Sequence, residues 1–299
     1  MSNLPTVKQL RYLVTLEKTL HFGKAAEACF VTQSAFSIAI KELESTLNVS
    51  LVDRTNRSVV FTTIGKQVAQ QARLVLFDLE GIADIAKISQ QPLSGTLKMG
   101  VIPTIAPFLL PKILPKIRKR FPRLELYLKE EQTKKIHRLL LDGKLDILLL
   151  ALPFELSNTE QTVIYKDPFK LAYKKGTHLI DANNFSPNKL NKESILLLED
   201  GHCLRDHALS ACSIGNKNNI AKFTASSLYT LIQMVDNDLG VTFVPQMAID
   251  GGLLKNTRVQ TKDLEDKAYR NIGLAWRKSS VRKQEFGLLA DTIREVISK

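Results

Sequence analysis

Two cysteines nine residues apart, Cys203 and Cys212, offer the most direct chemistry in this 299-residue chain. They stand in the run Glu199-Asp200-Gly201-His202-Cys203-Leu204-Arg205-Asp206-His207-Ala208-Leu209-Ser210-Ala211-Cys212, after an apolar stretch ending at Leu198. Asp200-Gly201 is a turn signal, and Leu204, Ala208, Leu209 and Cys212 recur at helical spacing, so Cys203 is predicted at a helix N-terminus. Free backbone N–H groups there favour a thiolate. Arg205 and a protonated His202 would act in the same direction. A thiolate attacks peroxide to give a sulfenic acid, which condenses with a second thiol; Cys212 is the available one. Nine residues of helix hold two Cα atoms about 13 Å apart, whereas a disulfide needs roughly 4.4–6.8 Å. Linking the pair would therefore unwind or move part of the segment and couple oxidation to a change of shape. The alternative is that both are inert small hydrophobes, which is the reading for Cys29 on its Ala-rich segment. His202, Cys203, His207 and Cys212 are zinc-ligand types, but their spacing matches no common zinc pattern, and neither metal nor other cofactor is expected.

Around this segment the texture is α/β. Leu97–Val101 reads as a strand and Thr104 as the opening of a helix to about Arg120. Leu124–Leu128 alternates as a second strand. Thr133 reads as the cap of a helix ending at Asp142-Gly143. Leu145–Leu152 is a continuous apolar run suited to a buried strand. Strands at Ile195–Leu198, Val241–Val244 and Ile272–Trp276 continue the pattern. About 200 residues in two lobes are expected, lobe I near 95–166 and 272–299 and lobe II near 167–271.

The first 60 residues read differently. Thr6-Val7-Lys8-Gln9 is a capping box, opening a helix with Leu10, Leu13, Val14 and Leu16. A short helix covers Phe22–Cys29, and Thr32 caps a third with the stripe Phe36, Ile40, Leu43 and Leu47. Only Phe30-Val31 separates the last two, as in a helix-turn-helix. Leu51-Val52 and Val59–Phe61 form a hairpin, or wing, around Arg54 and Arg57. Thr62 or Thr63 then caps a helix to about Gln90 with apolar residues every three or four positions, long enough to pair with another chain. At the third helix's N-terminus Gln33, Ser34 and Ser37 are placed to meet base edges. Lys41, Arg54 and Arg57 suit phosphates. The expected segments are a winged helix-turn-helix at 1–62, a linker helix at 63–92 and a regulatory α/β domain at 93–299.

Composition narrows the function classes. Hydrophobic residues make up 44%, too many for a disordered chain. No apolar run approaches the roughly 18 residues that span a bilayer, and no export leader is evident, so a cytoplasmic chain with no membrane partner is expected. Net charge is +12, yet residues 1–90 hold 10 Lys and Arg against 8 Asp and Glu, while residues 91–299 hold 32 against 22. The basic excess therefore does not mark the DNA-contacting part. No Ser/His/Asp order, phosphate loop or paired carboxylates point to an enzyme.

Leu10–Val14, His21-Phe22, Ala25-Ala26, Val31-Thr32-Gln33-Ser34, Ser37, Lys41–Glu44, Leu51–Arg57 and Thr62–Gly65 together resemble the N-terminal signature of LysR-type transcriptional regulators. Leu198–Asp206, with Cys212 at the matching distance, resembles the signature of the family's peroxide-responsive members. The resemblance implies a winged helix-turn-helix, a linker helix and a two-lobed α/β domain similar to periplasmic binding proteins. It implies double-stranded operator DNA, a homodimer through the linker helix, a dimer of dimers, RNA polymerase as partner and a reductant of glutaredoxin or thioredoxin type. It makes Cys203 the peroxidatic and Cys212 the resolving cysteine. Thr32 joins the DNA-contacting set, and Thr104, Thr133, His202, Arg205, Asp206 and Arg277 become pocket candidates. Thr104 and Thr133 could equally be helix caps only. Departures are Ile38 and Ala39, where the family often has a basic or small residue and then Gln, as well as Asn48, Val52 and Asp238. Two rivals remain: a LysR-type regulator of a small organic effector in the inter-lobe cleft, and a thiol peroxidase, which would have no use for a DNA-binding unit.

Overall fold

The computed structural model describes residues 4–54, 59–88, 92–181, 193–211, 219–264 and 268–298. The chain forms two compact units, 1–90 with 279–281, and 91–278 with 282–299. Among the described residues no helix is long and apolar enough to cross a membrane.

The first unit comprises α1 (Val7–Thr19), α2 (Phe22–Ala28), α3 (Gln33–Leu47), β1 (Val52–Arg54), β2 (Val59–Phe61) and α4 (Thr63–Ile88). Local chemistry sets the helix starts. Thr6 and Gln9 complete the reciprocal capping box of α1, and Thr32 Oγ1 accepts from the Ala35 N–H at the start of α3. The apolar stripes Leu13, Leu16, Phe36, Ile40 and Leu43 meet in one core, with Tyr12 stacked on Phe36 at 4.7 Å. Cys29 closes α2 and packs half-buried against that core. β1 and β2 pair antiparallel as the wing, Val52 opposite Phe61.

Thr62 ties the wing to α4: its N–H donates to Leu51 O at 3.1 Å and its Oγ1 accepts from the Gly65 N–H at 2.8 Å. That holds the first turn of α4 so close to β1 that a Cβ on Gly65 would lie 1.9 Å from Leu51 O. Gly65→Ala must therefore separate the two backbones. The expected cost is about 2–3 kcal/mol, read as a lower unfolding midpoint of the full chain.

In the second unit one mixed sheet runs β10-β6-β11-β5-β3-β4, with β9 also on β6. Its strands are β3 (Gly95–Val101), β4 (Leu124–Glu130), β5 (Ile147–Leu152), β6 (Thr159–Lys174), β9 (Thr242–Pro245), β10 (Val259–Asp263) and β11 (Tyr269–Arg277); β7 (Ile195–Leu198) and β8 (Ile220–Ala225) form a separate parallel pair. β5 is buried along its whole length, parallel to β3 and antiparallel to β11. β6 and β11 pair antiparallel, and each continues through the positions where the sequence placed the change of lobe. The helices are α5 (Ala106–Arg120), α6 (Thr133–Leu141), α7 (Cys203–Ala211), α8 (Leu228–Asp236), α9 (Gln246–Asp250) and α10 (Lys283–Ile297).

Thr104 and Thr133 do not cap helices. α5 starts after Ile105 and α6 after Gln132, neither with a side-chain cap, and Thr133 is the first residue of α6. Both hydroxyls are left for other partners.

Candidate functional site

Cys203 is the first residue of α7 and is buried, 4% exposed, with its thiol free. Gly201 (φ +100°) makes the turn from β7 into α7 and brings it against the start of α6, where a Cβ on Gly201 would sit 2.7 Å from Gln132 Oε1. The next residue, Thr133, presents a buried hydroxyl that favours the Cys203 anion, and its Oγ1 has no hydrogen-bond partner among the described residues. Cys203 thus opens α7, where the helix dipole favours its anion, beside the first residues of α6.

The nearby cation is Arg270, which sequence reasoning missed. It is 1% exposed on β11 and directly opposite Asp167 of β6. Its Nε donates to Asp167 Oδ2 at 2.9 Å, Nη1 to Thr104 Oγ1 at 2.9 Å and Nη2 to Thr104 O at 3.0 Å. Asp167 Oδ1 in turn accepts from the Met247 N–H at 2.9 Å. Every polar atom of the pair that could be orphaned by burial is thereby occupied, as a buried charge pair requires.

Three electrostatic expectations need correction. Burial pushes the Cys203 thiol up from its ordinary value, and the Thr133 hydroxyl and Arg270 only partly oppose it. Burial likewise pushes His202 down, against Glu199, whose carboxylate lies 3.8 Å away; His202 is a neutral ring and not a second cation. Arg205 turns away, pairing with Asp200 at 3.2 Å and donating to Leu198 O at 3.1 Å. Asp206 is exposed, and its charge disfavours the thiolate.

Arg277 is also displaced from its expected place. It lies at the other end of β11, about 23 Å along the strand from Arg270, where it donates to the carbonyls of Leu140 and Leu145. His207, one helical turn beyond Cys203, donates from Nε2 to Pro153 O at 2.8 Å and holds α7 to the end of β5. Cys212 lies outside the described residues.

On α3, Thr32, Gln33, Ser34 and Lys41 are exposed and Ser37 is half-buried, opposite the buried Phe36, Ile40 and Leu43. Arg54 ends β1, and Arg57 lies outside the described residues.

Residues 7–66 match the bacterial regulatory helix-turn-helix protein, lysR family, and residues 90–298 match the LysR substrate binding domain. The chain belongs to the LysR family. Its relatives include the HTH-type transcriptional regulator EstR of Acinetobacter baylyi, 41% identical over 99% of this chain and 98% of that protein. The DNA-binding transcriptional dual regulator OxyR of Escherichia coli K12 is 36% identical over 96% of this chain and 94% of its own length. Among solved structures, a full-length OxyR variant from Pseudomonas aeruginosa is 32% identical with a TM-score of 0.79, covering 98% of this chain and 95% of that one. The reduced regulatory domain of OxyR2 from Vibrio vulnificus is 45% identical with a TM-score of 0.66, covering 69% and 97%. As in other LysR-family regulators, a DNA-binding helix-turn-helix unit precedes an α/β regulatory unit; the likeness of the latter to periplasmic binding proteins is one of fold.

Proposed function

We propose that this LysR-family protein is a peroxide-controlled regulator, an activator of oxidative-stress genes, in which Cys203 is the sensing thiol and Cys212 its disulfide partner. The observation that carries this reading is the setting of Cys203: a thiol at the start of α7, beside the unpartnered Thr133 hydroxyl at the start of α6 and in the field of the buried Arg270. An inert core cysteine has no use for such surroundings. The reading is further supported by relatives named hydrogen peroxide-inducible genes activator.

The chemistry balances as follows. The Cys203 sulfur, as its thiolate, attacks one peroxide oxygen; the O–O bond breaks, hydroxide leaves and takes up a proton as water, and Cys203 becomes a sulfenic acid. The Cys212 thiolate then attacks that sulfur, hydroxide departs as a second water, and a disulfide forms. Two electrons leave the thiols and reduce one peroxide to two waters. Thr133 Oγ1 and His202 Nδ1, buried and without another hydrogen-bond acceptor or donor partner among the described residues, are the groups that would hold the small polar oxidant. Arg270, through Thr104, supplies fixed positive charge where hydroxide develops. Forming the disulfide pulls at α7, breaking its N-terminal packing on α6 and the His207–Pro153 bond. A cellular thiol reductant of glutaredoxin or thioredoxin type resets the pair.

Thr32, Gln33, Ser34, Ser37, Lys41, Arg54 and Arg57 form the proposed operator surface. Ile64, Val75, Leu79 and Ile82 stand exposed along α4, as expected of a helix that pairs with a second copy. The assembly is a homodimer through α4 and a dimer of dimers, acting in the cytoplasm on promoter DNA and RNA polymerase. The protein acts as a regulator and not as an enzyme.

Footprinting on the DNA upstream of the chain's own gene, reduced against peroxide-treated, should show a shifted footprint. A footprint that ignores peroxide and responds instead to a small organic compound would reject the proposal.

The raised Cys203 pKa also predicts the pH dependence of sensing. The reactive thiolate is the minor form at neutral pH, so its fraction grows nearly tenfold per unit as pH rises toward the folded pKa. The rate constant with peroxide, followed by rapid quenching with a thiol alkylator, should climb steadily from pH 6 to 8. A plateau already reached at pH 6 would show instead a thiolate at rest.

A further inference from the structure

We propose that Ile38 is a specificity-determining residue for operator recognition, reading a thymine by packing its side chain against the C5-methyl group in the major groove. The proposal concerns DNA binding by the LysR-family helix-turn-helix and does not depend on the redox reading.

The inward face of α3 is spent on Phe36, Ile40 and Leu43, all fully buried. Ile38 lies on the other side and is 57% exposed. It stands one turn after Ser34 and three residues before Lys41, both exposed, so the three share a helix face. That face belongs to the second helix of the motif, the one that enters the groove. A single exposed Ile elsewhere on a protein would need no explanation. Here the exposed neighbours Ser34, Lys41 and Glu42 are polar and must lose their water against the DNA. A Ser, Gln or Lys at this position could bond several bases or a phosphate. A branched aliphatic side chain offers no donor or acceptor, and in the major groove the thymine methyl is its apolar complement. Set against cytosine's amino group or a purine N7, Ile38 would strip a polar group of water without replacing the bond. The same residue thus favours thymine and disfavours the other bases. The hydrogen-bonding neighbours Gln33 and Ser34 read the flanking positions.

The test uses the full-length protein and a duplex operator obtained by selection from random DNA. Thymines in each half-site are replaced one at a time by uracil, which differs only in lacking the methyl group. One replacement per half-site should weaken binding about fourfold, the worth of one buried methyl, and about fifteenfold when made in both half-sites. Ile38→Ala should bind the thymine and uracil operators equally, while Ile38→Val, which keeps the branched methyls, should retain most of the discrimination. Because the readout is each variant's own thymine-to-uracil ratio, general loss of affinity or of folded protein does not mimic it. The proposal is overturned if no single uracil weakens the wild-type complex, or if the sensitivity persists in Ile38→Ala.

Discussion

Cys203→Ser is expected to leave a folded, DNA-binding protein that no longer responds to peroxide at all. Serine nearly matches cysteine in volume, so the buried position at the head of α7 tolerates it, and the α6 and α7 helix starts keep their packing. What disappears is the only group there that can become an anion nucleophilic enough to break an O–O bond. The rate of reaction with peroxide should fall by three orders of magnitude or more, on the scale of removing a covalent nucleophile. The peroxide-dependent footprint should vanish with it. Cys212→Ser should behave differently: Cys203 still reacts, but stops at the sulfenic acid, which a dimedone-type probe traps. Cys29→Ser should change neither step, since Cys29 packs on the separate helix-turn-helix core. A peroxide-dependent footprint surviving in Cys203→Ser would remove the basis of the proposed function.

The second large effect concerns Arg270. Arg270→Met removes three hydrogen bonds at once and leaves Asp167 a buried carboxylate with a single backbone donor from Met247. Breaking one side of such a pair costs about 3–5 kcal/mol, to be read as a shifted urea midpoint of the regulatory unit. The same change removes the positive charge that partly offsets the desolvation of Cys203, so the thiol pKa should rise further and the peroxide rate at pH 7 should drop about tenfold for each unit of rise. The double variant Arg270→Met with Asp167→Leu separates the two roles. Replacing a whole buried ion pair by apolar residues is often close to neutral, so stability should largely return while the slow peroxide reaction persists. If the reaction recovered along with stability, Arg270 would be a purely structural residue, and the electrostatic part of the mechanism would fail.

The site also shows how burial and electrostatics compete. Thr133 and Arg270 favour a thiolate, yet desolvation outweighs them and pushes the thiol pKa up.

The chain's own sequence determined everything whose signal lies within a few residues. The caps Thr6 and Thr32, the apolar stripes of α1 and α3, the wing, the continuous core strand β5 and the placement of Cys203 at a helix N-terminus were all legible, because capping and side-chain periodicity act over one or two turns; between Thr62 and Thr63 only the structure chose. Threonines near helix starts misled, since a hydroxyl there looks the same whether it caps or turns inward; only the actual start residues show that Thr104 bonds Arg270 and that Thr133 is buried without a cap role. Strands β6, β8 and β10 went unmarked, their half-exposed faces lacking a sustained apolar run. Which arginine acts on the thiol through its charge was decided by tertiary structure alone. Arg270 and Arg277 stand on the same strand and look alike in sequence, but the register of β11 on β6 sets Arg270 against Asp167 and sends Arg277 to the opposite end. The sulfur's charge state was likewise beyond local reading: it depends on water excluded by segments that are distant in sequence.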